Sequence, residues 1–274
     1  MENYMTVDFE EWFHGLTSTG KQPEIWDSLE DRIDIGADFL LSLFEETNVK
    51  ATFFIVGVLA EKRPDIVRRI VEAGHEIGLH GHVHRHVFTY KPDEFTTDLS
   101  ANLLALKSAC DAPIQGFRAH AFSVRNKMNW FWEKIAESGL AYSSSLFPIR
   151  TPVYGAPDAP LIPHMRGNVA EIPMSVFRIA GQNVPFSGGF YFRALPYNVV
   201  MHMTRAMNKR GEAVIFYFHP WEFDPDHPRA DFPRKAQLTH YFNLGSTRRR
   251  FLRLLGDFKF TTLAAVMRAQ GLIN

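Results

Sequence analysis

Residues 51–86 read ATFFIVGVLAEKRPDIVRRIVEAGHEIGLHGHVHRH, and the fold follows from how this stretch changes period. ATFFIVG (51–57) is a short, apolar, β-rich run, the pattern of a strand buried on both faces. RPDIVRRIVEAG (63–74) spaces its apolar residues three and four apart, with Pro64 near the first turn and Gly74 at the end, as a helix requires. HEIGLH (75–80) returns to an extended pattern. Strand, helix and strand in succession predict a parallel βαβ unit. The stretch closes on His80, His82, His84 and His86. Spacing alone leaves His80/His84 and His82/His86 equivalent, since one turn of chain brings either pair to one side of a metal ion.

The same alternation runs outward in both directions. YMTVDF (4–9), IQGFRAH (114–120), LAYSSSL (140–146) and EAVIFYFH (212–219) read as strands. DRIDIGADFLLSLFEETN (31–48), PDEFTTDLSANLLALKSAC (92–110), KMNWFWEKIAESG (127–139) and YNVVMHMTRAMNKRG (197–211) read as helices, and FKFTTLAAVMRAQG closes the chain. This order predicts a parallel α/β architecture, closed barrel or open sheet, in one domain over residues 1–274. The Pro- and Gly-rich segment at about 147–190 is expected to be an insertion over one end of the barrel, with a single short strand candidate, AEIPMSVF (170–177).

Thirty basic and thirty acidic residues cancel, which removes the electrostatic footprint of a nucleic-acid partner. The 24 Phe and 5 Trp suit a Phe-rich core or a cleft that stacks sugars. Cys110 is the only cysteine, so neither an internal disulfide nor a cysteine zinc cluster forms. MENYMTVDFEEW lacks the positive and apolar regions of a signal peptide, and no apolar run approaches the length of a spanning helix. A cytoplasmic location, or one peripheral to the inner membrane face, is the expectation; the oligomeric state is open. Arg248–Arg250 is expected on a solvated helix face. P-loop, dinucleotide and nucleophile-elbow patterns are absent.

Parallel α/β folds present their active groups at the C-terminal ends of strands. Here those ends carry Asp8 and Glu10, His80, Arg118 and His120, Ser143–Ser145, and His219. Asp8 and Glu10 share one strand face, about 6.5–7 Å apart. Two histidines and a carboxylate make a face suited to zinc, iron(II) or cobalt(II), without choosing among them. Arg118 has the chemistry to pair with a carboxylate. His219 is either a core histidine or an acid for a leaving group. The set reads as metal-assisted hydrolysis, in which Asp8 takes a proton from water and His219 gives one to a departing amine.

Four motifs, TVDFEEW (6–12), HEIGLHGHVH (75–84), GFRAHAFS (116–123) and YFHPWEFDP (217–225), occur in the order of a known family. In these the chain resembles the polysaccharide deacetylases of the NodB-homology type, carbohydrate esterase family 4. EIPMSVFRIAGQNVPFSGGFYFRALPY (171–197) is similar to a subgroup associated with exopolysaccharide biosynthesis. The resemblance implies a distorted, incomplete (β/α)7-type barrel that removes N-acetyl groups from amino sugars with a divalent metal. Zinc is the first expectation, with iron, cobalt or nickel as alternatives. It also implies roles: Asp8 as base, Arg118 as its partner, His219 as acid, Glu10, His80 and His84 as ligands, and a backbone N–H near Ala121 at the oxyanion. His82 and His86 fall outside this set. Trp12, His120, Phe190, Tyr191 and Trp221 are expected to touch substrate.

Three departures accompany the resemblance. Relatives mostly bind metal through Asp in the first motif, where this chain offers Glu10 or Glu11; Glu10 is preferred for sharing a face with Asp8. Pro of the third motif is replaced by His120, an added potential ligand or proton carrier. An Asp near Ser143 is missing from YSSS. The expected substrate is an N-acetylated sugar, oligosaccharide or lipid-linked glycan of surface polysaccharide or glycolipid assembly. The alternatives are hydrolysis of a linear amide or cyclic ureide on the same fold, and a degenerate carbohydrate-binding protein.

Overall fold

The computed structural model describes residues 1–19, 23–151 and 154–273. Its elements run β1 (Glu2–Phe9), α1 (Ile33–Glu46), β2 (Thr52–Ile55), α2 (Gly57–Lys62), α3 (Pro64–Glu72), β3 (Glu76–Leu79), α4 (Pro92–Ala109), β4 (Gly116–Phe117), α5 (Asn129–Glu137) and β5 (Tyr142–Ser143). The second half holds β6 (His164–Arg166), β7 (Val169–Glu171), β8 (Val176–Ile179), β9 (Gln182–Pro185), α6 (Gly189–Ala194), α7 (Tyr197–Lys209), β10 (Ile215–Phe218), α8 (Arg234–Tyr241), α9 (Thr247–Asp257), β11 (Lys259–Thr261) and α10 (Leu263–Ala269).

The main sheet runs β10-β1-β2-β3-β4-β5-β7-β6, with β11 paired to the start of β1. Every pairing is parallel except β6 with β7. Seven parallel strands follow one another from β10 to β7, and the wall is incomplete between those two. The seam is filled by the β8–β9 hairpin and its flanks: Ile215 N donates to Ser175 Oγ, and Tyr217 N to Ser187 O. This is the distorted (β/α)7 arrangement that the motifs lead one to expect.

Strand parity sorts the residues. Met5, Val7, Phe9, Phe53, Ile55, Ile77, Leu79 and Phe117 join the outer core beneath the helices, whereas Tyr4, Phe54, Tyr142, Ile215 and Tyr217 form the inner cluster. Side chains alternate faces along a strand, so Asp8, Glu10, His80, Arg118, His120 and His219 all continue the inner parity. That is why they converge. Gly116 makes room for the inner layer, since a Cβ there would lie 2.1 Å from the Tyr142 ring.

Three expectations need correction. Part of the 147–190 segment is barrel wall, not insertion: β7 pairs parallel with β5 (Tyr142 opposite Ala170, Ser143 opposite Glu171). AEIPMSVF is not one strand either, because Pro173, lacking an N–H for the ladder, separates β7 from β8. Pro152 and Val153 lie outside the described residues. The Arg248–Arg250 cluster is not simply a solvated face. Arg250 is buried and donates to the carbonyls of Arg193 and Leu195, and Arg248 donates to that of Phe223.

Candidate active site

At the end of β3, the His80 ring is fixed through Nδ1, 2.8 Å from Arg118 O. Its Nε2 then faces Glu10, 3.9 Å from Oε2. His84 Nε2 lies 2.7 Å from the same oxygen. The intervening loop is shaped from α4. Asn102 Oδ1 accepts from His80 N, while Asp98 accepts from the N–H groups of His82 and Val83 and from the Tyr90 hydroxyl. His120 closes the group from the end of β4. Glu10, His80, His84 and His120 are all buried, and each offers one donor atom within 4.8 Å of the others. Burial disfavours charge on Glu10, but His84, His219 and His80 outweigh it and hold its carboxyl well below the usual range.

The two histidine pairs are thereby distinguished. His80 and His84 belong to the cluster; half-buried His82 faces Glu61 at 4.0 Å, and buried His86 packs on Phe88. The two acids separate as well. Glu11 turns away to accept the Arg32 and Ile33 N–H groups at the start of α1, with burial pushing its carboxyl up to about 7. Imidazoles and one carboxylate, buried and this close, are the donor chemistry of a divalent transition-metal site. The residues fit the ion that the resemblance implies.

Asp8 is held by Arg118, whose Nη1 donates to Oδ1 at 2.8 Å and to Thr6 Oγ1 at 2.6 Å. The guanidinium is fully buried, bonded also to Ser144 O and Oγ, and lies over the Phe54 ring at 4.4 Å. Every arm of the fork is engaged, so the Asp8 carboxylate has a fixed orientation.

His219 follows β10, one step beyond the Val7–Phe218 pair. Its Nδ1 lies 2.8 Å from Glu222 Oε1, and the other oxygen of Glu222 accepts from Arg193 Nε at 2.8 Å. Arg193 in turn donates to the carbonyls of Thr239, His240 and Phe242. Burial opposes charge on His219, but the hydrogen bond to and charge of Glu222, with Glu10 and Asp8, prevail and hold it at about 9. With Nδ1 committed to Glu222, Nε2 faces the cluster, 3.8 Å from Glu10 Oε1. It is poised as a proton donor.

Of the remaining expected residues, Ala121 lies in a turn where it and Phe122 both have left-handed backbones (φ 48° and 50°), a sign of local strain. Trp12 is 1% exposed, donates to Glu30 O, and packs among Phe13 and His227. Buried this way it has no face for a sugar, and that expectation is withdrawn. Phe190 and Tyr191 are half-buried, the latter's hydroxyl 3.1 Å from that of Tyr154. Half-buried Trp221 is already stacked on His219 and His240, and its Nε1 points to Glu10 Oε1 at 3.4 Å.

Sequence reasoning missed Asp98, Asn102, Glu222, Arg193 and Glu171. Glu222 carried a signal, the spacing of three from His219 that a capping pair uses. Glu171 is fully buried and accepts from Trp132 Nε1 and the Ser145 and Leu146 N–H groups, with burial pushing its carboxyl up. It stands opposite Ser143. Like Ser143 it points to the outer face beneath α5, so it does not return to the pocket the acid absent from YSSS; His219 has its own carboxylate in Glu222.

Residues 29–138 match the family model described as polysaccharide deacetylase, and residues 144–268 match one described as a domain of unknown function, DUF3473. A peptidoglycan-N-acetylglucosamine deacetylase of Bacillus cereus is 42% identical over 60 residues, 22% of this chain and 22% of that protein. A chitooligosaccharide deacetylase of Bradyrhizobium is 31% identical over 71 residues, 26% of this chain and 32% of that one. The matched stretches span no more than a third of these relatives. A solved structure from Mycobacterium smegmatis, described as a candidate polysaccharide deacetylase, superposes with a TM-score of 0.62 at 19% identity, covering 99% of this chain and 92% of that one. The fold is that of the deacetylase-type distorted barrel. Over residues 29–138 the chain is similar to the polysaccharide deacetylase family, in line with the resemblance its motifs carry.

Proposed function

We propose that this protein is a metal-dependent hydrolase that removes the N-acetyl group from an amino sugar in surface-polysaccharide or glycolipid assembly. The observation that carries the reading is the convergence, on one inner face, of an oriented carboxylate (Asp8), a buried His/Glu donor cluster and a histidine kept protonated (His219). Glu10, His80 and His84 hold the ion, zinc in the first place, with iron, cobalt or nickel as alternatives. A divalent ion there supplies Lewis acidity and lowers the pKa of water towards roughly 7.

The chain's own groups do the rest. Asp8, aimed by Arg118, accepts the proton of the attacking water. His219 delivers a proton to the amine as the C–N bond breaks, so acetate and the free amino sugar leave. The strained turn at Ala121 offers a backbone N–H to the developing oxyanion. Glu222 and Arg193 keep His219 charged until it is needed. Relatives named as a peptidoglycan-N-acetylglucosamine deacetylase and a chitooligosaccharide deacetylase support the bond type.

Acetate release from N-acetylglucosamine oligomers, nucleotide-linked sugars and lipid-linked sugars tests this. The wild type is expected to release acetate from at least one class, and Asp8→Asn to lose it by roughly 10²–10⁴-fold while keeping its metal. Absence of release from all three classes, or hydrolysis confined to linear amides and cyclic ureides, would overturn the assignment.

A further inference from the structure

We propose that His120 is a fourth protein ligand of the metal centre, so that the ion is held by three imidazoles and one carboxylate. This rests on the metal-dependent reading above and goes beyond the ligand set Glu10, His80 and His84. His120 is 2% exposed, and neither of its ring nitrogens has a hydrogen-bond partner among the described residues. Buried polar atoms are almost always paired, and an unpaired one calls for an explanation. Its ring centroid lies 4.1 Å from that of His84 and 4.4 Å from that of His80, and its donor atom falls within the same 4.8 Å group.

Two loops are shaped around this ring. Gly81 lies between His80 and His84 with φ +79°, and a Cβ there would sit 2.6 Å from His120 Nε2. The ring thus fills the space that any side chain at position 81 would need. On its own loop, His120 is followed by the two left-handed residues Ala121 and Phe122, a backbone cost that persists where the surroundings over-determine it. Its two unpaired nitrogens sit among the donor atoms of the cluster, which a ligand role accounts for directly. An imidazole beside two others and a carboxylate has the donor chemistry of a metal ligand.

The fourth ligand has a chemical consequence. Four protein donors would close a tetrahedral ion, as in structural zinc sites, whereas hydrolysis needs a position for water. With His120 also bound, water would need a further coordination position on the ion, which zinc, iron(II), cobalt(II) and nickel(II) can each offer.

The test reloads chelator-stripped wild type, His120→Phe and His120→Ala with cobalt(II) or zinc(II). X-ray absorption counts the imidazoles, and competition with a chromophoric chelator gives the affinity. Wild type is expected to show three imidazoles and each variant two, with affinity lowered at least roughly tenfold, the scale seen when a metal site's supporting groups are removed. Added imidazole is expected to restore part of the affinity of His120→Ala, which a packing role would not predict. Two imidazoles in the wild type overturn the inference and leave the deacetylase reading standing; that measurement does not depend on how the variants fold. Unchanged affinity in a folded His120→Phe overturns it equally. A wild type that binds no divalent ion overturns the metal-dependent reading, and the inference with it.

Discussion

Asp8 and His219 reach the same pocket from neighbouring strands, but their charges are secured in different ways. Asp8 is oriented from inside the barrel, by an arginine buried among β1, β4 and the end of β5. His219 is secured from the periphery, through Glu222 and Arg193 to backbone carbonyls at the end of α8. On one side an arginine orients a carboxylate that must accept a proton. On the other a carboxylate stabilises a cation that must give one up. Pairs whose surroundings differ in this sense are how one site holds a base and an acid together. The same contrast separates the ligands from their support: His80 and His84 are placed by a strand end, yet their loop is held by side chains of α4.

The most drastic way to break the ligand side is His84→Ala, which is expected to abolish stoichiometric metal binding, while His82→Ala leaves one ion per chain by elemental analysis. Loss of metal from His82→Ala would reverse the distinction between the two pairs. Glu222→Gln attacks the acid side. His219 is held at about 9, above its ordinary 6.5, so the wild type is expected to keep the acid form until the pH rises through 9. Without the Glu222 charge, burial dominates and the alkaline limb of the pH–rate profile moves down by a unit or more. An unmoved limb would sever His219 from the limb. Asp98→Ala, which frees the His82 and Val83 N–H groups, is expected to weaken metal binding about 10–100-fold without unfolding the chain, read by chelator competition.

Glu11→Gln should have the smallest effect. Its folded pKa, about 7, is raised above its ordinary 4.5 by burial. The penalty for ionising it is therefore absent below pH 4.5, grows between 4.5 and 7, and is constant above. The amide still accepts the α1 N–H groups. The variant is expected to melt a few degrees higher than wild type at pH 8 and at the same temperature near pH 4; the opposite order would reassign Glu11 to the ion.

What was legible in the sequence is what strand parity and chain order carry. The inward convergence of Asp8, Glu10, His80, Arg118 and His219 needs only strand ends and a period of two. Illegible parts have physical reasons. β4 and β5 are two residues each and β7 three, too short for alternation to register. Asp98 and Asn102 are polar residues on the buried face of α4, where a side chain reaching a backbone N–H looks, in sequence, like one reaching water. Trp12 and Trp221 are equally aromatic, and composition cannot say that Trp12 is shut inside a core. Arg250 reads as a surface charge until its carbonyl partners are in view.

The most direct measurement is acetate release from the preferred N-acetylated sugar by chelator-stripped protein as a divalent ion is added back. The account predicts no release from the stripped protein and recovery that saturates at one ion per chain. Release that persists without the ion, or an ion that binds stoichiometrically without restoring it, would contradict the account.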